Sequence, residues 1–178
     1  WYGADVVEML LSRGSGHEIC FHGYTHRLFG KLSKEEARFE IQEWLKLAKR
    51  RNIAQQTVIF PQGSIGHLDL FREAGFICYR GREVRHPILT IPLLGKALNQ
   101  INLRLSILTP QVYEPKVDPL GLVNIPSSQW LFRTNRRIDG ILDSLNLHTL
   151  RLQSTINGIN KAVEERKVVH LWAHPHEF

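Results

Sequence analysis

Histidine supplies the first candidates for chemistry. His22 and His26 lie four residues apart in Gly16-His17-Glu18-Ile19-Cys20-Phe21-His22-Gly23-Tyr24-Thr25-His26. Ile19, Cys20 and Phe21 form a short apolar run that reads as a buried strand opening directly into the pair. Imidazole is the commonest metal-binding side chain, and two rings share one Zn²⁺ when the backbone turns them the same way. A strand fixing His22 and a Gly23-containing turn returning His26 beside it would do that. Alone the pair is a weak signal, because histidines at this spacing also fill ordinary surface and core roles. The tail adds weight: Val168-Val169-His170-Leu171-Trp172-Ala173-His174-Pro175-His176 is a second apolar strand running out into histidines. Two strand ends carrying imidazoles suggest one site at one rim of a sheet.

These motifs belong to a longer pattern. Gly16-His17-Glu18-Ile19 with His22 and His26 is followed by Phe29, a Ser33-capped helix and Phe60-Pro61. Then come Gly66-His67-Leu68-Asp69, Glu73-Ala74-Gly75-Phe76 with Tyr79-Arg80-Gly81, and finally His170-Leu171-Trp172 with His174-Pro175-His176. The whole resembles the polysaccharide deacetylase family, of the carbohydrate esterase family 4 type, over essentially the full chain. The resemblance implies a fold, a distorted (β/α) barrel of about seven strands. It also implies an activity, hydrolysis of N-acetyl groups on a polysaccharide or glycan precursor by a metal-activated water. In that family one divalent metal, zinc being the expected ion, is held by an Asp and two His. His22 and His26 match the metal histidines and His174 the general acid that protonates the leaving amine. A Lewis acid polarises the acetamide carbonyl and acidifies water, and an imidazole delivers a proton to nitrogen. Tyr24, Arg80, Trp172 and His176 are the candidate glycan contacts, an N-acetylated glycan being the implied partner.

The chain departs from the family in three places. No Asp-Asp motif follows a buried strand: Asp5 and Asp69 both fall on predicted helices. The base and the third metal ligand are therefore expected ahead of Trp1, the chain lacking the first strand; the alternative is an inactive, glycan-binding relative. Phe60-Pro61-Gln62-Gly63 also has no Arg to pair with that base, and Arg80 is its candidate stand-in, with a structural salt bridge as the other reading. Asn124 to Ser128 replaces a Trp-bearing segment. Among the other histidines, His170 reads as packed or hydrogen-bonded, His67 as capping or decorating a short helix, and His176 as a surface residue or substrate contact. Trp172 is assigned to the side of the last strand opposite His170 and His174, as core packing or a sugar platform.

Composition bounds the rest. At 178 residues, 43% of them apolar, the chain is long enough for one domain, 1–178, with a real core. No apolar run reaches the roughly 18–20 residues of a membrane span. The net charge of +6 is scattered, as in Lys46, Lys49, Arg50 and Arg51 or Arg133, Arg136 and Arg137. Nucleic-acid binders concentrate such charge on one face with aromatics between, so no nucleic acid is expected. Cys20 and Cys78 both fall in apolar strands and read as buried free thiols.

The elements that must position these residues follow from periodicity. Asp5 to Arg13 carries a helical stripe, and His17 to His22 reads as the site strand. Ser33-Lys34-Glu35-Glu36 is a capping box opening a long helix with Ala37, Ile41, Trp44, Leu45 and Ala48 on its apolar stripe, and Lys49-Arg50-Arg51 at its C-terminal end. Thr57 to Phe60 and Phe76 to Arg80 read as strands flanking a short helix over Gly66 to Ala74, with Gly75 as its C′ residue. This alternation argues for βα units around a parallel sheet, with ligands at the carboxyl ends of the strands. Helices are expected over Leu93 to Leu108, Ile138 to Leu145 and Leu150 to Arg166, and strands over Leu122 to Pro126 and Val168 to Ala173.

Overall fold

A computed structural model of the chain describes residues 4–13, 16–54, 56–83, 86–92, 94–131 and 148–174. It is a mixed α/β protein with parallel-strand sheets. The chain divides into two units, Trp1–Arg80 with Val117–Asn124, and Gly81–Lys116 with Ile125–Phe178.

In the first unit, α1 (Ala4–Ser12) precedes the histidine segment and α2 (Lys34–Arg50) follows it. The capping box forms as the sequence predicts. Ser33 Oγ accepts the Glu36 N–H at 3.2 Å, and the Glu36 carboxylate accepts the Ser33 N–H at 2.8 Å. Strand β1 (Thr57–Val58), helix α3 (Leu68–Glu73) and strand β2 (Cys78–Tyr79) make a parallel βαβ unit with Thr57 opposite Cys78. Gly75, at φ 88°, ends α3 in the left-handed region that a glycine C′ residue supplies. Strand β4 (Val123–Asn124) lies parallel on the far side of β2, and β3 (Lys116–Val117) closes the order β1-β2-β4-β3.

The site strand is shorter than the sequence predicts. Only Phe21 pairs, bridging Val58 in parallel: its N–H donates to Thr57 O at 3.1 Å and its carbonyl accepts the Ile59 N–H at 2.8 Å. The next ladder bond would use the Thr57 N–H. That donor goes instead to the Glu18 carboxylate at 2.8 Å, which also takes the Thr57 hydroxyl at 2.8 Å. A side chain has replaced a backbone acceptor, and the ladder stops there.

Phe21 is fully buried at the centre of an aromatic core. Phe29, Trp44, Phe71 and Phe76 meet it with ring centroids 5.1 to 5.9 Å away, all edge-on. Burying Phe21 fixes the backbone immediately before His22. Both cysteines are free thiols, and Cys78 Sγ lies 3.1 Å from Thr57 Oγ1.

The second unit holds α4 (Leu94–Leu105), β5 (Gln129–Trp130), α5 (His148–Glu164) and β6 (Leu171–Trp172). Helix α4 ends before the predicted Leu108. Asn102 Oδ1 accepts the Leu108 N–H at 2.9 Å, and Ser106 turns into the left-handed region at φ 48°. Strands β5 and β6 are parallel, with Trp130 opposite Trp172, and Tyr113 bridges Val168 in the antiparallel sense. Helix α5 seats Gly158 on Pro110, where an added Cβ would stand 2.9 Å from Pro110 Cγ. The predicted helix over Ile138 to Leu145 lies outside the described residues. Among the described residues the strands form a four-stranded and a two-stranded sheet and no closed barrel. No helix there is long and apolar enough to cross a membrane.

Candidate functional site

His22, Ile59 and Arg80 each follow directly on a paired residue: Phe21, Val58 and Tyr79 respectively. All three therefore stand at the carboxyl end of the same parallel strands, the edge at which open α/β sheets bind ligands. Asn124 ends β4 at that edge too, and its buried Oδ1 has no hydrogen-bond donor among the described residues.

The two histidines of the first motif come together. Their ring centroids are 4.9 Å apart and their planes 72° apart. His22 Nδ1 lies 2.7 Å from the Ile59 carbonyl oxygen. A carbonyl only accepts, so Nδ1 carries the hydrogen, and the lone pair of the neutral ring sits on Nε2. Metal-binding histidines are oriented in this way, one nitrogen tied to a backbone carbonyl so that the other is presented to the ion. His26 reaches its neighbour through a folded turn. Gly23 takes φ 83° and His26 itself φ 61°. An added Cβ on Gly23 would stand 3.1 Å from His26 N, so only glycine lets the turn close this tightly.

A residue that the sequence reading passed over holds this turn. Glu40 of α2 is 1% exposed. Its Oε2 accepts the N–H groups of Tyr24 and Thr25, each at 2.8 Å, and its Oε1 accepts the Thr25 hydroxyl. The signal was legible: Glu40 sits among Ala37, Ile41 and Trp44 on the buried face of the helix. A carboxylate there requires partners.

Tyr24 and Arg80 differ in surroundings. The Tyr24 side chain is 46% exposed while its backbone is tied to Glu40. Arg80 is half-buried, its N–H donates to Val58 O at 2.8 Å, and burial lowers its guanidinium pKa from the ordinary value. Cys20, two residues before His22, has its thiol pushed up to about 11, chiefly by burial and next by the Glu18 carboxylate. Burial thus keeps Cys20 a protonated thiol at neutral pH. Among the described residues no three His, Cys, Asp or Glu side chains are grouped to hold a metal, so the His22–His26 pair is the donor set on view.

His174 belongs to the second unit. Trp172 and Trp130 stack with centroids 4.7 Å apart and planes 16° apart, and the His174 ring stands edge-on to both, at 5.3 and 5.6 Å. Trp172 therefore shares a side with His174, against the opposite-side assignment. The reason is elementary: residues two apart on an extended strand point the same way. Trp130 was not singled out from the sequence, although it follows Ser127-Ser128 at the end of the segment thought to lack a tryptophan. The His170 N–H donates to Ser128 Oγ at 3.1 Å, which ties the backbone of the last strand to β5. His176 lies outside the described residues. His67 Nε2 lies 2.9 Å from the Leu32 carbonyl oxygen, so that ring braces the loop before α2. No family model, no characterised protein and no solved structure matches this chain.

Proposed function

We propose that this chain is a polysaccharide deacetylase-like hydrolase that removes N-acetyl groups from a glycan or glycan precursor, using one divalent metal, with zinc the ion its imidazoles suit. The observation that carries the reading is the His22–His26 pair, two imidazoles 4.9 Å apart with His22 Nδ1 held 2.7 Å from the Ile59 carbonyl oxygen. His22 and His26 would hold the ion through ring nitrogens, two of the three protein donors that a catalytic zinc takes, and no third is grouped with them among the described residues. Bound there, the metal would polarise the acetamide carbonyl and acidify a water.

The chain's own residues have separate tasks. His174 would give a proton to the departing amine, imidazole being the side chain that exchanges protons near neutral pH. The Trp130–Trp172 stack meets the His174 ring edge-on and would hold its orientation. Arg80 would orient a carboxylate or glycan oxygen, and Tyr24, Trp172 and His176 would contact the sugar. The frame we assign is the distorted (β/α) barrel, which the parallel β1-α3-β2 unit and its ligand-facing carboxyl edge support.

The test is acetate release from a chito-oligosaccharide by the full-length protein. Activity abolished by EDTA and restored by Zn²⁺ is the expected result; activity indifferent to EDTA overturns the metal mechanism. In the Co²⁺-loaded protein, the His174 ring protons should show paramagnetic shifts, and their absence would separate that residue from the reaction. A second reading is a glycan-binding module without turnover. Binding of the oligosaccharide without acetate release would select it.

A further inference from the structure

We propose that Glu40 is the positioning residue of the His22–His26 pair, an inference that rests on reading those histidines as metal ligands. The ends of the segment from His22 to His26 are fixed by different means. His22 is anchored by the buried Phe21 ring and by its Nδ1–H bond to the Ile59 carbonyl. His26 is anchored by neither. Its backbone sits in the left-handed region at φ 61°, which a non-glycine residue occupies only when its surroundings impose it.

Glu40 supplies that imposition. Two consecutive backbone N–H groups, those of Tyr24 and Thr25, converge on one carboxylate oxygen, and the Thr25 hydroxyl takes the other. Successive N–H groups converging in this way form a nest of the kind that elsewhere binds an external anion. Here the anion is internal and is carried by a helix whose N-terminus is locked by the Ser33 capping box. The two residues immediately before His26 are thus bolted to α2. The carboxylate touches neither imidazole in any bond described, so its effect on a metal runs through the loop. It belongs to the outer shell of groups whose loss weakens metal affinity by about 10–100-fold.

The substitution Glu40→Gln keeps the shape of the side chain but removes the negative charge on which the two N–H groups converge, and its NH₂ can only donate to the Thr25 hydroxyl, which must then reverse its direction. Co²⁺ titration of the full chain, followed by histidine-to-metal absorption, should show affinity lowered by about 10–100-fold in Glu40→Gln. In the metal-free protein, the nuclear Overhauser contact between the His22 and His26 rings should be lost, while circular dichroism stays that of the parent. Thr25→Val, which removes only the hydroxyl donor, should shift both readouts the same way by less, and it decides the matter if Glu40→Gln does not fold. Parental Co²⁺ affinity and an intact inter-ring contact in a folded variant overturn the proposal. If the parent binds no Co²⁺ through these histidines, the hydrolase reading falls, and the metal-free ring contact still decides the role of Glu40.

Discussion

A carbonyl oxygen 2.7 Å from an imidazole nitrogen settles a tautomer, and that tautomer is what makes His22 more than an exposed ring on a loop. Two residues earlier, Cys20 illustrates the opposite treatment. Burial and the Glu18 carboxylate both disfavour its thiolate, raising its pKa from 9.0 to about 11. The sign of the linkage follows. The unfolded chain releases this proton near pH 9 and the folded chain only near 11, so the folded state binds more protons in between. The stability that the retained proton contributes is whole below about pH 9 and is lost as pH rises through about 11. The urea midpoint of the parent should therefore fall across that window, and Cys20→Ala should fall less steeply. Equal slopes would mean that Cys20 ionises in the folded protein as it does in the unfolded one.

The turn from His22 to His26 depends on glycine at a position where both conformation and space require it. Gly23→Ala would place a methyl group 3.1 Å from His26 N on a backbone already at φ 83°. Strain of this kind destabilises by about 1 kcal/mol or more, and the loop would relieve it by moving His26. Co²⁺ affinity and the urea midpoint should both drop; a variant binding Co²⁺ like the parent would show that the loop repacks without disturbing the pair. At this scale much was legible. The capping box, the glycine C′ of α3 and the alternation of α3 with β1 and β2 all follow from local rules on residue type and spacing. Strand length was not, because a Glu18 side chain thirty-nine residues away in sequence takes the Thr57 N–H that would have extended the ladder. Glu40 was missed because a periodicity search counts apolar positions and skips a polar one among them. The contact of Trp172 with His174 follows from the period of two along an extended strand, which puts residues 172 and 174 on one side.

The two units differ in how they are held together, and the difference bears on which part of the candidate chemistry is robust. Among the described residues the buried aromatic cluster of Phe21, Phe29, Trp44, Phe60, Phe71 and Phe76 belongs wholly to the first unit, with Leu122 reaching it from just before β4. Among the described residues of the second unit the deeply buried side chains are mostly polar, such as Ser106, Ser128, Gln129, Ser154 and Thr155, and helix α5 leaves Leu152 and Val163 at 62% and 73% exposure. Each large ring withdrawn from water is worth roughly 1.5–3 kcal/mol, whereas a hydrogen bond between polar partners contributes a net ~1 kcal/mol. The first unit should therefore resist opening more strongly than the second. Native-state hydrogen exchange should show amides of α2 and β1 exchanging through the highest-energy openings, and those of α5 and β6 through lower ones. In urea, Trp44 and the Trp130–Trp172 stack should report separate transitions, the stack first, and variants keeping single tryptophans distinguish them. Coincident transitions with equal protection in α2 and α5 would make the chain one cooperative body. The functional corollary is that Co²⁺ binding by His22 and His26 should persist at urea concentrations where the stack around His174 has already been lost.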